Sequence, residues 1–217
     1  MGTVVIITGA VPLTRALTGH MPSGATVIAA DGGLDHALAA GIRPTIVVGD
    51  LDSVTPDGAA WARAHADLRE HPAAKGSTDT ELALDVADGM APDRLLLIGG
   101  PDGTRLDHTL GALGSLGREP LAAVPVVEAW WGATYVRVLH GRGRAQLELA
   151  AGALFSVLAM HGPARGVSVA GARWPLDAVD LPPLSGWGIS NEAIAPPVSV
   201  EVVHGVVTVI VPGGAPS

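Results

Sequence analysis

Apolar residues in the first half of the chain come in short unbroken runs rather than at alternating positions. TVVIITGA opens the chain, and VIAADGG, TIVVGDLDS and RLLLIGGPDGTRLDH follow, each run ending in Gly or Asp before a helix-compatible stretch. The segment around KGSTDTELAL shows the same passage into a helix. Runs that are apolar throughout suit strands covered on both faces, so this grammar predicts successive βα units building a parallel sheet with helices on either side.

After about residue 132 the period changes to alternation, as in YVRVLH, AQLELA, LFSVLAM and GVSVAG. Alternating runs separated by Gly-containing turns predict an antiparallel sandwich or barrel. VSVEVV and VVTVIV are separated only by His204 and Gly205, which reads as a two-residue hairpin. Trp174 to Pro197 reads as one long loop rich in Pro and Gly, and the last five residues are expected to fray. The expected fold is therefore α/β: a doubly wound, mostly parallel sheet domain over residues 1–132, then an antiparallel β-sandwich domain over residues 133–217.

Composition narrows the function. The 217 residues are 48% hydrophobic, with five Trp, one Tyr and one Phe, and this is enough apolar material for one large or two small cores. The net charge of −8 opposes binding to phosphate backbones or anionic lipid, so no nucleic-acid or membrane partner is expected. Cysteine is absent, which removes disulfides, thiolate metal sites and thiol catalysis. The most apolar stretch, Leu121 to Leu139, is broken by Pro125, Glu128 and Arg137, and no leader pattern opens the chain; a cytoplasmic location is expected. No P-loop, G-x-G-x-x-G or G-x-S-x-G motif is present.

Five acids, Asp31, Asp50, Asp52, Asp79 and Asp107, fall where strands end or helices begin, and in open α/β sheets those carboxyl ends form the ligand crevice. Each also suits helix capping, and Thr78-x-x-Glu81 reads as a capping box with Asp79 favoured by the helix dipole. Asp50 and Asp52 fit capping less well. At i and i+2 of an extended segment they point the same way, and like charges that close call for a counter-ion such as Mg²⁺ beside substrate phosphates. Gly49, Gly32 and Gly33 would let backbone N–H groups approach those phosphates. Lys75 is the only lysine, Arg105 stands two residues before Asp107, and His108 follows it; all three also read as ordinary surface residues.

Taken together, ADGG ending at Gly33, GDLDS at Gly49 to Ser53, Thr78-Asp79 before ELAL, and GTRLDHTL around Arg105 to His108 resemble the catalytic blocks of the thiamine pyrophosphokinases. FSVLAM, GPARGVSVAGARWPL and GISNE at Gly188 to Glu192 resemble that family's thiamine-binding half, so the likeness covers nearly the whole chain. The resemblance implies Mg²⁺-dependent transfer of pyrophosphate from ATP to thiamine, with AMP as the second product. It implies that Asp50, Asp52 and Asp79 hold the metal, that Asp31 borders it, and that Arg105 and Asp107 bind the nucleotide. Gly32, Gly33, Gly49, Ser53, Lys75, Thr78 and His108 would line the nucleotide; Trp187, Ser190 and Asn191 would meet thiamine. Trp174 and Trp187 are read alternatively as core residues of the sandwich. A homodimer with thiamine at the subunit interface is also implied.

Two segments depart from the family pattern. Lys75-Gly76-Ser77-Thr78-Asp79 stands where many bacterial relatives have K-D-K-T-D, and VEAWWGATYV lacks an Asn-containing junction. Two further readings stay open. One is a pyrophosphokinase acting on another hydroxymethyl heterocycle, such as a pterin; the other is a non-catalytic protein of this fold that binds a nucleotide or a thiamine compound.

Overall fold

The computed structural model describes residues 2–72, 76–100 and 105–214. The chain divides into two compact units: Met1–Ser115 with Ala123–Pro125 and Ala129–Gly132, and Leu116–Ala122 with Val126–Glu128 and Ala133–Ser217. Among the described residues no helix is long and apolar enough to cross a membrane.

Unit 1 follows the βα grammar. β1 (Thr3–Ile7), β2 (Thr26–Ala30), β3 (Ile46–Gly49), β4 (Asp67–Glu70) and β5 (Arg94–Gly99) stand in the order β5-β1-β2-β3-β4, all pairings parallel. The unbroken apolar runs are buried along nearly their whole length, with Val5, Ile6, Ile7, Val47, Val48 and Leu95 to Ile98 fully enclosed. Between the strands lie α1 (Arg15–Thr18), α2 (Gly33–Ala39), α3 (Pro56–His65) and α4 (Asp79–Asp88), and α5 (Leu106–Ser115) follows β5. The strand order advances from β1 to β4 and then returns past β1 to β5. Right-handed crossovers place α1, α2 and α3 on one face and α4 on the other, which is the doubly wound arrangement. The reversal also leaves a crevice beyond the carboxyl ends of β1 and β5.

One part of the core positions the site. Leu51 packs with Ala29, Leu34, Val47, Ala59 and Ala62, so the turn that follows β3 is anchored under α2 and α3. β6 (Val126–Trp131) has its last three residues in this unit, where Trp130 stacks on the His20 ring at 3.6 Å.

Unit 2 is antiparallel. β9 (Leu154–Leu158), β12 (Asn191–Glu192), β14 (Val206–Val211) and β7 (Thr134–His140) form one run of pairings; β8 (Arg144–Leu147), β13 (Val198–Glu201), β10 (Ala164–Ala170) and β11 (Leu176–Leu181) form the second sheet. Val157, Val167, Val169, Val198, Val200, Val207 and Val209 alternate inward, as the pattern requires of a sandwich. A buried ion pair lies in this core: Glu128 Oε1 accepts from the Tyr135 hydroxyl at 2.8 Å and from Arg137 Nη1 at 3.1 Å.

Two expectations for this half are corrected. β13 and β14 are not a hairpin, because β13 pairs with β10 and β8 while β14 pairs with β7 and β9. The intervening residues cross between sheets, held by the Arg165–His204 bridge and by Gly205 at φ 85°, where a Cβ would lie 2.5 Å from the Pro163 carbonyl oxygen. Trp174 to Pro197 is not a structureless loop either, since it carries β11, a 3₁₀ turn at Gly186–Gly188 and β12.

Candidate active site

The three acids that meet are Asp31, Asp50 and Asp79, each offering a carboxylate oxygen within 4.8 Å of the others. Asp31 follows β2 and Asp50 follows β3, so both stand at the carboxyl rim of neighbouring parallel strands. Asp79 is the first residue of α4, behind a complete capping box: Thr78 Oγ1 accepts the Glu81 N–H at 3.2 Å and Glu81 Oε2 accepts the Thr78 N–H at 2.9 Å. Capping and convergence thus coexist, with Thr78 doing the capping and Asp79 left to face the rim.

The backbone is bent to make this meeting. Asp31 has φ 45° and Leu51 has φ 64°, left-handed conformations that cost about 1–3 kcal/mol each in non-glycine residues. Burial of the Leu51 side chain contributes about 2 kcal/mol and offsets the strain there. Gly33 is required by contact, since a Cβ on it would lie 2.2 Å from the Ile7 carbonyl oxygen.

Asp52 does not share this geometry. The segment is turned rather than extended: Leu51 is left-handed, and Asp50 Oδ1 accepts the Asp52 N–H at 3.1 Å in an Asx turn. Asp52 is exposed and accepts the Ser53 hydroxyl at 2.9 Å. The idea that residues i and i+2 point together fails because the strand ends at Gly49.

Burial pushes the Asp31 carboxyl above the usual carboxylate range; the Gly32 N–H and Ser53 oppose the rise, and the charges of Asp79 and Asp52 add to it. Asp31 Oδ1 is buried and accepts no hydrogen bond. An orphaned carboxylate oxygen among three converging acids is what a cation would satisfy, and an all-oxygen donor set suits a hard divalent ion such as Mg²⁺.

A cavity of about 420 Å³ opens on Asp31 and Asp79, lined among others by Thr8, Gly9, Gly32, Ser53, Thr78, His108 and Trp131. That volume falls in the range of small-molecule sites, and its floor is the crevice between β1 and β5. Arg105 also lines it. Its Nη2 and Nε donate to Asp107 at 2.9 and 3.1 Å and it contacts His108, holding the Asp107 carboxyl down to about 2. Asp107 is itself exposed and pairs with Arg105 rather than with the three converging acids. Lys75 lies outside the described residues.

Sequence reasoning passed over Asp35 and His36, which line the same cavity. His36 Nε2 hydrogen bonds the Gly9 carbonyl at 3.2 Å, and Asp35 hydrogen bonds Thr55. The available signal was their position, one turn into the helix that follows Asp31.

In unit 2 the residues expected to meet thiamine differ sharply from one another. Trp187 is 62% exposed and Trp174 56%, so neither fills the core of this unit. Ser190 is exposed at φ 59°, its N–H donating to Ser156 Oγ at 3.1 Å. Asn191 is buried, and its amide is occupied by backbone: Oδ1 accepts the N–H groups of Trp174 and Glu192, and Nδ2 donates to the Trp174 carbonyl at 2.7 Å.

Comparison with known proteins agrees with this geometry. Residues 20–124 match the family described as thiamin pyrophosphokinase, catalytic domain. The chain is 37% identical over 113 residues to a thiamine pyrophosphokinase of Bacillus subtilis (strain 168), an alignment that covers 51% of this chain and about half, 52%, of that relative. A crystal structure of thiamine pyrophosphokinase from Bacillus subtilis matches with a TM-score of 0.81 at 24% identity, over 98% of this chain and 99% of the other. One from Geobacillus thermodenitrificans matches at 0.75 with 25% identity over 98% of each chain. The thiamin pyrophosphokinase of Candida albicans, at 14% identity, matches at 0.76 over 97% of this chain and 88% of its own. The likenesses at 24% and 14% identity establish the fold.

Proposed function

Because the chain belongs to the thiamin pyrophosphokinase family, with residues 20–124 carrying its catalytic-domain match, we propose that it transfers pyrophosphate from ATP to the hydroxyethyl group of thiamine, giving thiamine diphosphate and AMP. The observation that carries this reading is the convergence of Asp31, Asp50 and Asp79 at the strand rim of unit 1, beside a cavity that Asp31 and Asp79 line.

In this reaction the thiamine hydroxyl oxygen forms a bond to the β-phosphorus, the bond from that phosphorus to the α,β-bridging oxygen breaks, and AMP leaves with that oxygen. Such transfers demand positioning and charge neutralisation more than covalent chemistry. Asp31, Asp50 and Asp79 are the residues that would hold Mg²⁺. When bound, the ion would neutralise phosphate charge and orient the chain of phosphates. The backbone at Gly9, Gly32 and Gly33 admits phosphate oxygens to within hydrogen-bonding reach, since no Cβ stands in the way. Arg105, held in place by Asp107, would meet the nucleotide's negative charge, and His108 borders it. The proton released by the attacking hydroxyl passes to a rim carboxylate.

Thiamine recognition is assigned to unit 2. Trp187 presents an exposed ring suited to stacking on a flat cation, an interaction of about 0.5–2 kcal/mol. Ser190 supplies a free-standing hydroxyl position, whereas Asn191 acts through the backbone it brackets. A homodimer in the cytoplasm belongs to the same reading.

Purified protein incubated with ATP, Mg²⁺ and thiamine should yield AMP and thiamine diphosphate, read by mass spectrometry. AMP no higher than in the no-thiamine control would overturn the reading, and preferential turnover of a hydroxymethyl pterin in competition would move the assignment to another acceptor.

A further inference from the structure

Asp35 stands one helical turn after Asp31, in the first turn of α2, and its carboxylate grips the residue that opens α3. Oδ2 accepts the Thr55 N–H and Oδ1 accepts the Thr55 hydroxyl, both at 2.7 Å. Thr55 is itself the N-cap of α3, its Oγ1 accepting the Gly58 N–H at 3.1 Å. Gly58 leaves the room this needs, since a Cβ there would lie 2.2 Å from Asp35 Oδ1.

Resting on the reading of the site given above, we propose that Asp35 is a positioning residue: by holding Thr55 it fixes the loop that carries Asp50 against the turn that carries Asp31, and so sets the spacing of the carboxylates that take the divalent cation. Those carboxylates repel one another, and the loop needs an external brace to keep them together. Its hydrogen bonds from the Asp52 N–H to Asp50, from the Ser53 hydroxyl to Asp52 and from the Val54 N–H to the Leu51 carbonyl shape it from within, while Leu51 packs beneath α2 and Ser53 reaches the Asp31 carboxyl. The Asp35 bonds add a short, charge-assisted tie from α2 to the far end of the loop. Asp31 and Leu51 both hold left-handed backbone, which persists only where the surroundings over-determine it. Asp35 stands four residues after Asp31 and its partner Thr55 four residues after Leu51, so one hydrogen-bonded pair braces both.

The test titrates Mn²⁺ alone into the full chain by electron paramagnetic resonance, with turnover of ATP and thiamine measured in parallel. Asp35→Asn should weaken Mn²⁺ binding by about tenfold or more, the usual effect of removing a group that orients metal ligands. In turnover, kcat should fall while the KM for thiamine holds. Thr55→Ser keeps both contacts and should behave as the unmodified protein. Thr55→Val should reproduce part of the Asp35→Asn loss, and the double variant should be no worse than Asp35→Asn alone. A folded Asp35→Asn protein that binds Mn²⁺ as tightly as the unmodified chain overturns the proposal. If Asp35→Asn does not fold, unchanged Mn²⁺ binding in Thr55→Val overturns it instead. If the unmodified chain makes no AMP but Asp35→Asn still weakens Mn²⁺ binding, the functional reading falls and the positioning role stands.

Discussion

A Cβ placed on Gly49 would lie 3.1 Å from the Cβ of Asp31, and the same atom would stand 3.2 Å from Oδ1 of Asp79. Gly49 is therefore the spacer that lets two acids from different segments close on one point. Its φ of 149° adds backbone strain for any other residue. Gly49→Ala should separate the acids by a few tenths of an ångström. Turnover should drop by about tenfold to a hundredfold, because small misplacements are costly in transfer chemistry. Steady-state kinetics beside a thermal melt checks this; unchanged kcat in the folded variant would refute it.

Asp50→Asn and Asp79→Asn each remove one of the three converging charges, and each should lower kcat by about a hundredfold. Asp52→Asn, on an exposed side chain bonded to Ser53, should cost less than about tenfold. Equal losses in all three variants, measured at saturating Mg²⁺, would show that the geometric distinction has no chemical meaning.

Acid should destabilise the fold through His140. Burial pushes its pKa below the usual value, aided by neighbouring His161 and opposed by the backbone of Arg118 and Gly117. Its folded-state pKa lies below its unfolded value of about 6.5, so the unfolded chain takes up the proton first. The contribution is complete above about pH 6.5 and is lost as pH falls toward the depressed folded value. His20, half-enclosed against Trp130, shifts the same way through burial. Melting at pH 7.5 and 5.5 should show a fall that shrinks by about 2–4 °C in His140→Gln. A pH dependence identical in the two proteins would rule this out.

Asn191→Ala should leave two N–H groups and one carbonyl of the Trp174 and Glu192 backbone without partners. The loss should be about 3 kcal/mol, since orphaned backbone groups cost about 1–3 kcal/mol each and water recovers part of that. Urea denaturation reads it, and a loss below about 0.5 kcal/mol would place Asn191 outside the structural frame of unit 2.

What the sequence made legible follows from which forces act locally. The parallel strands of unit 1 could be read because a strand buried on both faces leaves an unbroken apolar run, as in Leu95 to Ile98. The capping box at Thr78 and Glu81 is equally local. The β13 to β14 connection was not legible, because His204-Gly205 fits a tight hairpin by its residues while the Arg165 bridge that draws the chain across comes from 39 residues earlier. Asp52 was grouped with Asp50 because alternation was carried one residue past the end of β3, where Leu51 turns left-handed to bury its side chain. The resemblance puts Asp31 at the border of the metal, and nothing in the spacing of residues 31, 50 and 79 reveals that three separate segments bring its carboxylate together with those of Asp50 and Asp79. Asp35 was missed for a related reason: its partner Thr55 is twenty residues away and announces itself only as the cap before Pro56.

The placement of the five indoles gives the protein a built-in optical reporter. Trp130 lies against the His20 ring, Trp131 is enclosed and Trp61 is half-buried beside the His65 ring, whereas Trp174 and Trp187 stand in water on unit 2. Emission from those two should be red-shifted and open to quenching by acrylamide or iodide, while the enclosed pair in unit 1 stays shielded. Colour and quencher access therefore distinguish light from the two halves, and an acceptor settling over Trp187 would announce itself in the red edge of the spectrum.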